Sequence, residues 1–236
     1  MAEHIVTAFE NELKGIAERV AEMGGMAEKQ IVDAIDALID RDLAKARAVV
    51  AADAPIDAMQ REIEELGILT IARRQPMAVD LREIIGALRI ASDLERIADM
   101  AKSIAKRVIA INGSIPASRM TGGFDALSRL ALERLKEVLD AYSQSDTNTA
   151  SEVWKSDGDV DALYNSLFRE LLTYMMEDPR SIGACTHLLF CAKNMERIGD
   201  HATNIAETVI FVTTGQMPVE ERPKLDTTNF PLNQTS

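Results

Sequence analysis

The chain has 236 residues, 47% of them hydrophobic and 27% charged, so it can bury a sizeable core in one or two domains. Only 4% are aromatic, which favours helix over a β-sandwich. A net charge of −12 excludes a groove that grips phosphates with Lys and Arg, and no nucleic-acid partner is expected. The acidity is shared: residues 1–118 hold 15 Lys and Arg against 20 Asp and Glu, and residues 119–236 hold 11 against 18. Cys185 and Cys191 lie in an apolar stretch with no disulfide or C-x-x-C pattern, so reduced buried thiols are expected. The opening MAEHIVTAFENEL carries acids where a signal peptide needs positive charge. The uncharged stretches 181–192 and 208–219 are too short to span a bilayer. The expectation is a soluble, cytoplasmic protein.

Along residues 5–39, Ile5, Phe9, Leu13, Ile16, Val20, Met23, Ala27, Ile31, Ile35 and Leu38 recur every three or four positions, predicting a long amphipathic helix. Gly24-Gly25 predicts a bend within it. Asp42 is placed to cap a second helix running to about Arg74, and Gln75-Pro76 breaks it. Pro76 suits a first helical turn, with Asp80 at the positive end of a third helix reaching about Ile111. Asn112-Gly113 through Gly122-Gly123 reads as a linker. A fourth helix starts near Phe124, Asp146 opens a fifth that ends at Asp178-Pro179, and a sixth runs to about Thr213. No strand is expected. The fold class is all-α: two repeated three-helix bundles side by side, six long helices in all, with a short disordered C-terminal tail. The boundaries are 1–112 and 124–213 for the bundles, 113–123 for the linker and 214–236 for the tail.

The two halves resemble copies. At an offset of 104, Asp42, Ala46, Val49, Asp53, Asp57 and Ala58 recur as Asp146, Ala150, Val153, Asp157, Asp161 and Ala162. At an offset of 101, Glu95, Arg96, Ile97, Asp99, Ala101, Ile104, Ala105 and Val108 recur as Glu196, Arg197, Ile198, Asp200, Ala202, Ile205, Ala206 and Val209. Two blocks in the same order identify an internal duplication.

Four acidic pairs fall inside these blocks: Asp53/Asp57, Glu95/Asp99, Asp157/Asp161 and Glu196/Asp200. Residues four apart share a helix face, about 6 Å apart along the axis. In an antiparallel helix pair, residues equidistant from the turn stand level. Asp57 with Glu95, and Asp53 with Asp99, are centred on residue 76; Asp161 with Glu196, and Asp157 with Asp200, are centred between 178 and 179. Each hairpin therefore gathers four carboxylates. Two unit charges about 4 Å apart repel by roughly 4 kcal/mol at an effective dielectric of 20. Relief comes from raised pKa values with shared protons, or from a bound cation. Oxygen ligands suit Mg²⁺, Ca²⁺, Mn²⁺ or Fe³⁺, and Zn²⁺ also accepts them.

Most acid pairs on helices are solvated faces; recurrence in a duplication and convergence at the turns set these apart. Glu95 and Asp99 lie one position beyond the apolar stripe Ile84, Leu88, Ala91, Leu94, Ala98, Ala101 and Ala105, predicting a site at the bundle rim. Arg96 and Arg197 are expected to offset local charge or meet a partner, and His201 to support the second quartet or lie on the surface. His4 and His187 read as ordinary surface and helix histidines, and Trp154 as packing. No Gly-rich phosphate loop, G-x-S-x-G or H-E-x-x-H is present. Carboxylate clusters also fit a metal enzyme, a di-iron oxidase or a metal-dependent phosphatase, but the Glu-x-x-His of di-iron bundles is missing. A structural adaptor whose acids only maintain solubility is the third reading.

ARRQPMAVDLR (72–82), LERIADMA (94–101) and KNMERIGDHATNIAE (193–207) resemble the PhoU family of phosphate-transport accessory regulators, over about residues 5–213. Ala98 stands where the common motif has Gly. The resemblance implies an elongated pair of three-helix bundles, with multinuclear iron or zinc at Glu95, Asp99, Glu196 and Asp200 and the partner-helix acids Asp53, Asp57, Asp157 and Asp161. It implies a non-enzymatic negative regulator of phosphate uptake and phosphate-starvation signalling. Its partners would be a phosphate ABC transporter and a phosphate-sensing histidine kinase, through which alone it would meet the membrane. Homodimers or higher oligomers are implied as well.

Overall fold

The computed structural model describes residues 2–111 and 121–218. They form α1 (Ala2–Asp40), α2 (Leu43–Ala51), α3 (Asp53–Arg74), α4 (Val79–Ile111), α5 (Thr121–Gln144), α6 (Thr147–Lys155), α7 (Asp157–Glu177) and α8 (Ile182–Thr214), with a 3₁₀ turn at Pro179–Ser181. Among the described residues there is no strand, and the six helical arms are present. The linker expected at 113–123 lies outside the described residues up to 120, and Thr121 already opens α5. The tail beyond 218 also lies outside them.

Two arms are broken where one continuous helix is expected. The second arm splits at Ala52, and its counterpart splits at Ser156. Pro55 supplies the reason in the first repeat. It has no N–H to donate, and in an unbroken helix its ring would meet the Ala51 carbonyl. In the second repeat Gly158, a poor helix former, occupies the first turn of α7. The breaks make Asp53 and Asp157 first-turn residues, where the helix dipole favours a carboxylate. The third arm begins three residues later than expected. Gln75 (φ 51°) and Ala78 (φ 50°) take left-handed conformations, leaving Pro76 in the connection ahead of Val79.

The duplication is visible in the backbone. Arg41 (φ 58°) and Ser145 (φ 53°) occupy equivalent left-handed turns. Each is followed by an Asp whose side chain caps the next helix: Asp42 accepts from Ala44 and Lys45 at 2.9 Å, and Asp146 from Asn148 at 2.9 Å and Thr149 at 3.3 Å.

Helices α4 and α8 are the central rods. Helix α4 packs on α1, α2, α3 and α8, and α8 packs on α4, α5, α6 and α7. The expected apolar stripe of α4 is therefore too narrow, and Ile90, Ile97 and Ile104 are fully buried as well. The two rods run antiparallel, as the contacts Arg82–Val212, Asp93–His201 and Arg107–His187 require. They close tightly at Gly86, where a Cβ would come within 2.3 Å of Val212 Cγ2. Helix α1 is unbroken through Gly24-Gly25; Gly24 admits Leu139 of α5, whose Cδ1 lies 2.8 Å from the position of a Cβ. One apolar core runs through both repeats and includes Cys185 and Cys191 as free, buried thiols.

Candidate functional site

In the first repeat, α3 carries Asp53 and Asp57 and α4 carries Glu95 and Asp99. Asp53 is 4% exposed, while Asp57, Glu95 and Asp99 are partly exposed, which agrees with a rim position for the α4 acids. Lys102, one turn beyond Asp99, joins the two helices: its ammonium donates to Asp53 Oδ2 and lies 3.4 Å from Asp99 Oδ1. Its pKa is raised first by the hydrogen bond to Asp53. Asp53 Oδ1 is buried and has no hydrogen-bond partner. Burial raises the pKa of Glu95, and the charges of Asp99 and Asp57 raise it further against the pull of Arg96. That mutual influence identifies Asp57, Glu95 and Asp99 as electrostatic neighbours across the hairpin. Arg96 Nε stands 3.5 Å from Glu95 and its Nη1 3.8 Å from Asp99, partly offsetting their charge.

The second repeat gathers the equivalent acids at greater depth. Asp157, Asp161 and Glu196 are all buried, and only Asp200 is partly exposed. At the position equivalent to Lys102 stands Thr203, which donates from Oγ1 to Asp157 Oδ1 at 2.8 Å. Lys193 Nζ donates to Glu196 Oε1 at 2.8 Å and lies 5.0 Å from the centre of the Tyr164 ring. Glu196 Oε2 is buried without a hydrogen-bond partner. Burial pushes the Glu196 pKa up to about 7, with Asp200 and Asp161 adding repulsion and Lys193 opposing. Gly199 matters locally: a Cβ there would lie 3.0 Å from Val160 Cγ1, so α7 approaches α8 closely beside the acids.

Because α4 and α8 are antiparallel, Glu95 and Asp99 stand level with Glu196 and Asp200, on either side of the central seam. His201 belongs to that seam, its Nδ1 lying 2.8 Å from Asp93 Oδ1 of α4. Asn204 reaches the same oxygen at 3.5 Å. His187 faces Arg107 at 3.5 Å, and Trp154 is buried with its Nε1 donating to Glu207 at 3.0 Å. The side chain of His4 lies outside the described residues. Sequence reading missed Lys102, Lys193 and Thr203. Lys102 and Lys193 each stand three positions from a motif acid, a spacing that places them on the same helix face.

The donor set is all carboxylate oxygen, and two of those oxygens, Asp53 Oδ1 and Glu196 Oε2, are buried and unpaired. Such groups suit a hard cation in kind. As arranged, no three or more His, Cys, Asp or Glu side chains among the described residues converge as a ready coordination sphere. Cation capture therefore requires side-chain rotation. Among the described residues, no helix is long and apolar enough to cross a membrane.

The PhoU domain family matches residues 20–108 and 124–209, one stretch in each repeat. The chain is 55% identical over 226 residues to a phosphate-specific transport system accessory protein PhoU homolog of Rhizobium meliloti, covering 96% of this chain and 95% of that one. It is 52% identical to the protein of the same description from Caulobacter vibrioides, over 96% of this chain and 98% of that one. The crystal structure of PhoU from Pseudomonas aeruginosa superposes with a TM-score of 0.84 at 40% identity, over 88% of this chain and all of that one. The phosphate transport system regulatory protein PhoU from Streptococcus pneumoniae gives 0.82 at 27% identity, over 89% and 99%. Similarity of this extent, falling on both repeats and on the paired acidic motifs, makes the chain a member of the PhoU family.

Proposed function

We propose that the chain is a non-enzymatic accessory protein of a phosphate transport system, acting in the cytoplasm as a negative regulator of phosphate uptake and phosphate-starvation signalling. The observation that carries this reading is near-full-length similarity to relatives described as phosphate-specific transport system accessory proteins. Its partners in this reading are a phosphate ABC transporter and a phosphate-sensing histidine kinase, met as a homodimer or larger oligomer. Two three-helix units, the first formed by α1 to α4 and the second beginning with α5 at Thr121, form the working body. Deleting the gene should derepress phosphate-starvation genes in phosphate-replete cells, read by reporter expression; unchanged repression would refute the regulatory role.

The two quartets serve this role as cation sites, holding iron or zinc, with Mg²⁺, Mn²⁺ and Ca²⁺ suited to the same oxygens. Asp53, Asp57, Glu95 and Asp99 would hold the ion in the first repeat, and Asp157, Asp161, Glu196 and Asp200 in the second. The reading is supported by the unpaired buried oxygens and by the ammonium already drawn onto Asp53 and Asp99. A bound cation would supply the positive charge that offsets the carboxylates of α3 with α4 and of α7 with α8. Asp99→Asn and Asp200→Asn should each lower the metal content of gently purified protein at one repeat only, measured by elemental analysis. Unchanged content in either variant would remove the two-site assignment.

A further inference from the structure

The first quartet already contains a cation. Lys102 projects from α4 onto Asp53 of α3, and the same ammonium stands 3.4 Å from Asp99. It thus bridges two of the four acids from opposite sides of the hairpin, where an incoming ion would have to bind. The Lys102 side chain is 24% exposed and Asp53 6%, so the pair is largely withdrawn from water while part of the lysine still reaches the surface. Asp53 keeps a second oxygen, Oδ1, that is buried and has no hydrogen-bond partner. One lysine therefore does not saturate the carboxylate. A flexible four-carbon stem carrying a point charge is also the side chain best able to leave such a place. In the second repeat the equivalent position is Thr203, whose hydroxyl donates to Asp157 without bringing charge.

We propose that Lys102 is a built-in, displaceable occupant of the first carboxylate quartet, which a multivalent hard cation must expel in order to bind there. Lys102 is thereby a specificity-determining residue. A monovalent ion gains too little from Asp53 and Asp99 to replace a tethered ammonium, whereas a divalent or trivalent ion gains enough to offset the side-chain rotation that brings further carboxylates in. This inference rests on the reading of the quartets as cation sites. It adds that first-repeat affinity is set by competition with the chain's own lysine, and that loading is coupled to release of the α3–α4 bridge.

The test uses the full-length chain, stripped of metal and titrated with Mn²⁺, with free ion followed by electron paramagnetic resonance. Asp157→Asn with Asp161→Asn silences the second repeat, so that binding reports on the first. In that background Lys102→Met, which keeps bulk without charge, and Lys102→Thr, which installs the residue of the second repeat, should each tighten Mn²⁺ binding at least tenfold. In the wild-type background Thr203→Lys should weaken the second repeat by a similar factor. Unchanged or weaker first-repeat affinity in folded Lys102 variants would overturn the proposal. So would failure of both variants to fold, since Lys102 would then be an obligatory strut. Absence of Mn²⁺ binding in every chain, the wild type included, would overturn the cation reading itself and this inference with it.

Discussion

The two repeats carry the same four acids at equivalent positions but hold them at different depths. Asp53 and Asp157 are alike, 4% and 5% exposed. The glutamates differ: the Glu95 side chain is 18% exposed and that of Glu196 only 4%. One methyl group, present at Ala98 and missing at Gly199, points in the direction of the difference. Gly199 lets Val160 approach closely beside the acids, and the equivalent positions of the first repeat are Ala98 and the larger Ile56. Closer helices exclude more water, and water exclusion raises the cost of a carboxylate charge. Identical sets of acids can therefore differ in proton affinity through packing alone.

The sharpest way to break this comparison is Glu196→Gln in metal-free protein. A folded-state pKa of about 7, against 4.5 for the free side chain, means that the native state binds more protons than the unfolded one between those values. Stability then falls as pH rises through that window, and above pH 7 the charged Glu196 is a full cost. A shift of this size corresponds to about 3 kcal/mol. Urea unfolding should show Glu196→Gln stabilising by up to that amount at pH 8 and by little at pH 4. Glu95→Gln should shift stability in the same direction but less. Equal effects in the two repeats would show that depth does not govern their electrostatics.

A smaller effect is expected at the seam that keeps the quartets level. Gly86→Ala would place a methyl 2.3 Å from Val212 Cγ2, and valine cannot swing aside as a long side chain can. Overpacking of this kind costs about 1–3 kcal/mol, partly offset by the roughly 1 kcal/mol that alanine gains in a helix. The net loss should appear as a lower urea midpoint. An unchanged or raised midpoint would show that α4 and α8 part easily there. The least costly change is Gly199→Ala, with overpacking against Val160 nearly balanced by helix propensity, to within about 1 kcal/mol. Its diagnostic is electrostatic: the Glu196 pKa, followed by carboxyl NMR, should fall toward that of Glu95.

Much of the helical frame was legible because its signals are local. Asp42 and Asp146 could be named as caps, and the α3–α4 break located at Gln75-Pro76, since short side chains and proline act on the backbone next to them. The split of the second arm was equally local. Pro55 carries the signal for it, but the surrounding apolar period masks that signal. The nearness of Asp57 to Glu95 and of Asp161 to Glu196 across the hairpins followed from counting residues to the turn. Their burial did not, because depth depends on how closely the two helices of the hairpin pack. The extra buried face of α4, Ile90, Ile97 and Ile104, exists only because α8 packs there, and a single-helix pattern cannot report a neighbour 100 positions away. Lys102 was missed for a related reason. On α4 it reads as one more charge, and only the nearness of Asp53 on α3 makes it an occupant.

The central claim is that these opposed acids are built to take a cation. Anomalous diffraction from crystals of the wild-type chain equilibrated with Mn²⁺ tests it most directly. The account predicts an ion bonded to Glu196 within the acids of α7 and α8, with any ion beside Glu95 and Asp57 accompanied by withdrawal of Lys102 from Asp53. Manganese bound only elsewhere on the surface, with both quartets empty and their side chains unmoved, would contradict it.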